Sequence, residues 1–339
     1  MNNQDYILDV ENLNTSFISN GQEIKIVKDV SLQLKRGSCL AVVGESGCGK
    51  SVTVHSIVKL LAKNARVTAD KVVYRSLHGK TVQEYRLDQL APYGPEMRSL
   101  RGPEIGMVFQ DPMSSLNPVY RVGDQVAENL MQHQKISKKE ALKKVVELFK
   151  KLGIPDPERR IREYPHQFSG GMKQRVVIAI AMICNPELLI ADEPTTALDV
   201  TIQAQIMELM KNLQVNENKS IIMITHNMGL VAEMADDVVV MYMGRIVESG
   251  TAEDIFLAPK HPYTRALLRS VPVLGMEEGQ ELETIPGTTP NPADVTEGCE
   301  FAGRCSECMD CCKKGVIPVT EVSPGHMVRC MKFAKGGSQ

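Results

Sequence analysis

The sequence predicts an α/β fold built on a largely parallel sheet, and three observations carry that reading. Over about the first 250 residues, short apolar runs alternate with stretches of helical spacing, the pattern of strand–helix–strand units. Several of these runs are nearly continuous in apolar residues, as strands covered on both faces are. One of them leads through a glycine-rich loop straight into a helical run.

The elements follow in order. Tyr6–Val10 and Ile24–Val30 read as the first strands, and Cys39–Val43 as a buried one, followed by the loop and the helix-compatible run SVTVHSIVKLL. Ile105–Phe109, Leu188–Ala191, Ile221–Ile224 and Val238–Met243 complete the predicted strands. Lys138–Lys151 predicts a charged amphipathic helix with solvated lysines. In Thr201–Val215, the residues Ile202, Ile206, Leu209, Met210 and Leu213 share one helical face and pack into the core. Composition shifts past residue 255, through HPYTRALL (261–268) and the Pro/Gly stretch IPGTTPNP (285–292), to a Cys-rich end. A boundary is therefore expected near 255–260, dividing a domain at 1–255 from an extension at 256–339.

Bulk composition narrows the function. A length of 339 residues suggests roughly two domains. Thirty-nine basic residues against 41 acidic ones leave a net charge of −2, which argues against nucleic acid as a partner. The longest apolar run, Val176–Cys184, falls far short of the ~20 residues that cross a bilayer. The start, MNNQDYILDV, lacks a basic stretch followed by an apolar one, so no secretory signal is expected and the cytoplasm is the expected compartment. Six of the nine cysteines lie between 299 and 330, a clustering that points to a metal rather than to disulfides in a reducing compartment.

Three segments carry chemistry. Gly44-Glu45-Ser46-Gly47-Cys48-Gly49-Lys50-Ser51 fits G-x-x-x-x-G-K-[ST] between a strand and a helix. The glycines let backbone N–H groups close around phosphate oxygens, aided by the helix N-terminus. Lys50 offers charge to the β- and γ-phosphates, and Ser51 a hydroxyl to Mg²⁺. Cys48, beside that helix start, is expected to be a thiol of lowered pKa, open to alkylation and protected by Mg-ATP. Leu188-Leu189-Ile190-Ala191-Asp192-Glu193 brings two carboxylates to the end of a buried strand, where ligands of open α/β sheets bind. Asp192 is expected to hold the metal through water, and Glu193 to polarise the attacking water. Phe168-Ser169-Gly170-Gly171-Met172-Lys173-Gln174-Arg175 opens a further helix and makes a second anion site. A nucleotide has one triphosphate, so the second site is expected to serve a nucleotide held by another subunit.

With Gln110, Ala197-Leu198-Asp199 and His226, these segments resemble the ATP-binding subunits of ABC transporters over residues 5–255. More narrowly, GESGCGKS, MVFQDPMSSLNP (107–118), FSGGMKQR (168–175), IADEPTTALDVTIQAQI (190–206) and HPYTRALL look like the oligopeptide/dipeptide importer ATPases. The resemblance implies an ABC-type ATPase core with a helical subdomain at about 112–172, a small Cys-rich extension, and a head-to-tail pair of subunits enclosing two ATP molecules. It further implies that Phe17 stacks on adenine, Gln110 contacts Mg²⁺, and Ser169 and Gly171 touch the partner's γ-phosphate. Asp199 is expected at the dimer interface, His226 as a γ-phosphate sensor, and 110–120 as part of a groove for a coupling helix. The sequence departs from the broader pattern at Met172, where glutamine is commoner, and at Val52, where many loops have a second hydroxyl.

The spacing Cys299-x5-Cys305-x6-Cys312-x17-Cys330 resembles the four-cysteine extension of peptide-importer ATPases, which implies a [4Fe-4S] cluster. Zn²⁺ is the competing metal, since Cys305-x2-Cys308 has a spacing zinc favours and His326 is near in sequence. The implied partners are a second, different ATPase subunit, two transmembrane permease subunits and, indirectly, an extracellular substrate-binding protein. That places the chain at the cytoplasmic face of the membrane, with di- or oligopeptides as cargo and nickel or an oligosaccharide as alternatives. A soluble ABC ATPase acting on ribosomes or DNA is disfavoured by the single phosphate loop and the near-neutral charge. A metal sensor leaves the ATPase residues unexplained.

Overall fold

The computed structural model describes residues 5–78, 81–111, 115–196, 198–270, 285–290 and 297–334. Met1–Gln4, Pro112–Ser114 of the 107–118 motif, Ala197, and Asn291 and Pro292 of the Pro/Gly stretch lie outside the described residues. The strands are β1 (Tyr6–Ser19), β2 (Gln22–Lys35), β3 (Cys39–Val43), β4 (Ala65–Thr68), β5 (Lys71–His78), β6 (Thr81–Arg86) and β7 (Ile105–Val108). They continue with β8 (Leu188–Asp192), β9 (Ser220–Thr225), β10 (Asp237–Tyr242), β11 (Arg245–Thr251), β12 (Val319–Ser323) and β13 (His326–Arg329). The helices are α1 (Lys50–Ile57), α2 (Pro95–Leu100), α3 (Val122–His133), α4 (Lys138–Lys151) and α5 (Pro157–Arg160). After them come α6 (Gly170–Met182), α7 (Val200–Glu217), α8 (Met228–Met234), α9 (Ala252–Leu257) and α10 (Pro262–Arg269).

The chain divides into two units whose segments interleave in sequence. One comprises Met1–Ile7, Leu34–Cys39 and Tyr74–Ile224; the other comprises Leu8–Gln33, Leu40–Val73 and Thr225–Gln339.

In the first unit β7, β8 and β9 run parallel, with Ile105 opposite Leu188 and Leu188 opposite Ser220. Every residue of β8 is buried, which is why LLIAD reads as a continuous apolar strand ending in an acid. The charged helix α4 forms where predicted: Ser137 and Glu140 close a capping box at its start, and Ala141, Val145 and Phe149 share its buried face. Helix α7 buries Ile206, Leu209, Met210 and Leu213 as expected, and Met207 besides, while Ile202 is only half-buried.

In the second unit β3 and β10 pair in parallel, Leu40 opposite Asp237. Beyond β10 the sheet turns antiparallel, through β11 and β13 to β12. The expectation of a largely parallel sheet is corrected here, and the cause is local. Only Met243 and Gly244 separate β10 from β11, with φ of 48° and 82°, so the chain reverses in a tight hairpin instead of crossing over. The apolar run Val238–Met243 predicts a strand through Met243, whereas the structure ends β10 at Tyr242, where this turn begins. Strands β4, β5, β6, β11, β12 and β13 were not anticipated. Several are short or half-exposed and carry no continuous apolar run. No helix among the described residues is long and apolar enough to cross a membrane.

Candidate functional site

The phosphate loop lies in the second unit, together with Phe17 and His226. Gly44, Gly47 and Gly49 have φ of 151°, 78° and 101°, backbone that residues with a Cβ avoid. A Cβ on Gly44 would sit 2.2 Å from the carbonyl oxygen of Met241, whereas one on Gly47 would meet nothing within 4 Å. The loop is therefore packed against β10 at its start and open at its middle, as a cradle for a ligand is. Lys50 is buried, and its ammonium donates to the carbonyls of Gly44 at 2.8 Å and Glu45 at 2.9 Å. Thr53, which the motif reading passed over, ties α1 to the loop by donating from Oγ1 to the Gly49 carbonyl at 2.9 Å. Ser46 is exposed, while Ser51 and Val52 are half-buried.

Cys48 departs from expectation. It is buried, 3.8 Å from the Lys50 ammonium, and burial pushes its thiol up, outweighing the pull of the neighbouring cation. Its place beside the helix start does not make it a reactive thiolate: desolvation dominates over the Lys50 charge and the hydrogen bonds from Lys50 that favour the thiolate. Phe17 is half-buried on β1, opposite Ala65 of β4. His226 is exposed just past β9, beside Asn227, whose side chain caps α8.

Gln110, Asp192, Glu193, Ser169–Gly171 and Asp199 belong to the first unit. Asp192 is the buried last residue of β8. Glu193 follows in left-handed backbone, φ 46°, with its N–H bonded to the Ile224 carbonyl at 2.9 Å. A residue other than glycine held there is strained, and such strain concentrates at functional sites. Its carboxylate oxygen Oε2 accepts from the Gln110 amide at 3.0 Å and from Thr196 Oγ1 at 2.7 Å. Sequence reasoning named Gln110 and Glu193 separately; the structure joins them and adds Thr196, which no motif position had singled out.

Ser169 and Gly170 are exposed at the start of α6, and Ser169 Oγ accepts the Met172 N–H at 3.3 Å. Asp199 caps α7 in the same way, accepting the Ile202 N–H at 3.0 Å. Both residues thus have a local structural task in addition to the one the resemblance implies. Gly171 is buried against Ile202 of α7.

The cysteine end is the principal correction. Cys299, Cys305, Cys308, Cys312 and Cys330 line one small cavity with His261 and Phe301. Yet all are free, and among the described residues no group of three or more His, Cys, Asp or Glu is placed to hold a metal ion. Neither the iron–sulfur cluster nor its zinc alternative is supported. Burial pushes the thiol of Cys299 up to about 11 and raises those of Cys305 and Cys330, disfavouring their thiolate forms. His326 is engaged elsewhere, its Nε2 lying 2.7 Å from the buried Glu248 carboxylate. Spacing brought the cysteines to one cavity but not into a coordinating arrangement.

Residues 27–196 match the ABC transporter family, and residues 247–312 match the C-terminal region of oligopeptide/dipeptide transporters. The chain is 50% identical over 333 residues to a Brucella ovis protein named for peptide import and ATP binding, covering 96% of this chain and 97% of that one. It is 49% identical over 325 residues to the dipeptide transport ATP-binding protein DppD of Bacillus subtilis, covering 96% and 94%. Its structure is similar to the ATP-binding cassette MJ0796 in a dimeric post-hydrolysis state bound to ADP and Pi, with a TM-score of 0.59 and 26% identity over 72% of this chain and 98% of that one. By these matches the chain belongs to the ATP-binding subunits of ABC transporters, in the branch that carries the oligopeptide/dipeptide C-terminal region.

Proposed function

We propose that this chain is the ATP-hydrolysing subunit of an importer for dipeptides or oligopeptides, acting at the cytoplasmic face of the membrane. Residues 1–255 form its ATP-binding domain, with a helical subdomain at about 112–172, and 256–339 form its C-terminal extension. It works with a second, different ATPase subunit, with two membrane permease subunits and, through them, with an extracellular binding protein. Peptide as cargo follows the names of the relatives, one of which is a dipeptide transport protein. The observation that best supports hydrolysis is the fixed carboxylate of Glu193, oriented by two donors on the same oxygen.

The mechanism assigns each residue a task. Backbone N–H groups of 44–49 bind the phosphates, and Lys50 exchanges its two loop carbonyls for β- and γ-phosphate oxygens. The Ser51 hydroxyl, the Gln110 amide oxygen and, through water, Asp192 are hard oxygen donors suited to Mg²⁺, which supplies charge neutralisation when bound. Glu193 orients and polarises the attacking water. Phe17 stacks on adenine and His226 contacts the γ-phosphate. Ser169, Gly170 and Gly171, with Asp199 beside them, serve the nucleotide of the partner subunit. Closure of the pair around ATP moves the membrane subunits.

The test uses the complete assembly, purified from membranes through this chain and reconstituted in vesicles. Peptide-dependent uptake is expected, and Glu193→Gln is expected to cut ATP hydrolysis by roughly 10²–10⁴ with ATP binding retained. Hydrolysis at the unmodified rate would remove Glu193 from its role. Uptake of nickel or an oligosaccharide in place of peptide would replace the cargo.

A further inference from the structure

Glu45, the second residue of the phosphate loop, is gripped twice by the chain that follows residue 255. Its backbone N–H donates to the hydroxyl of Tyr263, on α10, at 2.8 Å. Its carboxylate accepts a forked pair from Arg304, Nη1 to Oε2 at 2.6 Å and Nη2 to Oε1 at 3.0 Å. Thr289 Oγ1 adds a third donor to Oε2 at 3.3 Å.

Arg304 is itself held in place. Its Nε donates to the Pro286 carbonyl at 2.8 Å, and Nη2 reaches the carbonyls of Gly287 at 3.3 Å and Ile285 at 3.4 Å. The guanidinium carbon lies 5.9 Å from the centre of the Tyr242 ring. Its side chain is 7% exposed and that of Glu45 25%, so the pair is well shielded from solvent. Tyr263, tilted, and Phe301, edge-on, pack against the Tyr242 ring at 4.7 and 5.2 Å between ring centres, anchoring both gripping segments to β10.

A carboxylate in a loop that receives phosphates is electrostatically adverse, because like charges at such range repel strongly wherever water is partly excluded. A forked guanidinium removes that charge and fixes its direction at once, which a lysine ammonium does only in part. We infer that Arg304 is a positioning residue for nucleotide: it neutralises Glu45 and holds its carboxylate against the C-terminal extension, so that the extension sets the affinity of the phosphate loop in cis. The inference deepens the reading that residues 44–51 hold the phosphates of ATP, and rests on it.

The experiment is a titration of the purified full chain with a fluorescent ATP analogue and Mg²⁺, with thermal melting of each variant alongside. Arg304→Ala is expected to weaken binding about tenfold and Arg304→Lys by less, the lysine keeping the charge but losing the fork. In a Glu45→Gln background the same Arg304→Ala change is expected to cost less than about twofold, since no charge then needs neutralising. An arginine that only braces the extension would weaken binding equally in both backgrounds, and that result overturns the inference. So does undiminished binding by Arg304→Ala. If Arg304→Ala does not fold, Arg304→Lys in the two backgrounds carries the same comparison. Lys50→Ala separates the two levels: if it binds nucleotide as tightly as the unmodified chain, the phosphate-loop reading fails, and the inference with it.

Discussion

Gly171 sits where two explanations of one residue can be separated. An alanine Cβ there would lie 2.6 Å from Cγ2 of Ile202, 3.3 Å from Cδ1 and 3.5 Å from Cγ1. Carbon atoms in ordinary contact stay about 3.5–4.0 Å apart, so Gly171→Ala demands a local shift of roughly an ångström. The obstructing side chain is β-branched and has one favoured rotamer in a helix, so α7 must move or Ile202 must strain. Overpacking of this kind costs ~1–3 kcal/mol, which thermal melting reads as a drop of a few degrees for each kcal/mol. Ile202→Ala deletes all three crowding atoms. In that background Gly171→Ala should cost less than ~0.5 kcal/mol, and the double variant should melt close to Ile202→Ala alone. ATP hydrolysis by the assembled transporter is measured on the same proteins. If the glycine also lets backbone approach a phosphate, activity stays low in the double variant while stability returns. An equal loss of stability in both backgrounds would refute the packing argument.

Two further expectations follow from burial. Cys48 should be alkylated far more slowly than the exposed Cys311 at neutral pH, read by peptide mass spectrometry at timed intervals; equal rates would contradict its burial and raised thiol. His261 is buried, and its pKa is lowered to about 3, chiefly by desolvation, with Arg329 and Arg265 adding to the effect and Glu307 opposing it. Its Nδ1 accepts the Tyr263 N–H, and its own backbone N–H donates to the Glu248 carboxylate. The unfolded chain takes up this proton first, near pH ~6.5, so the stability contribution is whole above that pH and is lost at up to ~1.4 kcal/mol per unit as pH falls toward the folded value. His261→Asn, which keeps a capping acceptor, should flatten the slope of melting temperature against pH in that window; an unchanged slope would exclude His261 as its source.

What could be read from the sequence follows from how locally each feature is encoded. Cys39–Val43 and Lys138–Lys151 form where predicted because five consecutive buried residues, or one capping box with an i, i+4 apolar face, specify an element without outside help. Strands β12 and β13 escaped because the hairpin they form is held by β13 pairing with β11, a partner about 80 residues upstream whose contribution no short window contains. The β10–β11 hairpin escaped for a narrower reason. Met243 adopts positive φ, which methionine composition does not announce, and only the following Gly244 marks the reversal.

The site divides along the same line. Its candidate phosphate loop, carboxylate strand and glycine pair Gly170–Gly171 could be picked out because a glycine-rich loop or turn at a helix start leaves few residue choices, and those choices fall within eight positions. The orienting contacts were not. Thr196 is an ordinary hydroxyl until it lies 2.7 Å from Glu193, and Arg304 is one of 39 basic residues until it forks onto a carboxylate 259 positions upstream. The cysteines show the opposite failure, since their spacing suggested a coordinating site where folding yields a shared cavity lined by free cysteines. Spacing reports proximity along the chain, whereas coordination needs donor directions, and positioning needs the partner's charge. The residue whose charge was least explicable in the phosphate loop, Glu45, is the one whose explanation lay farthest away.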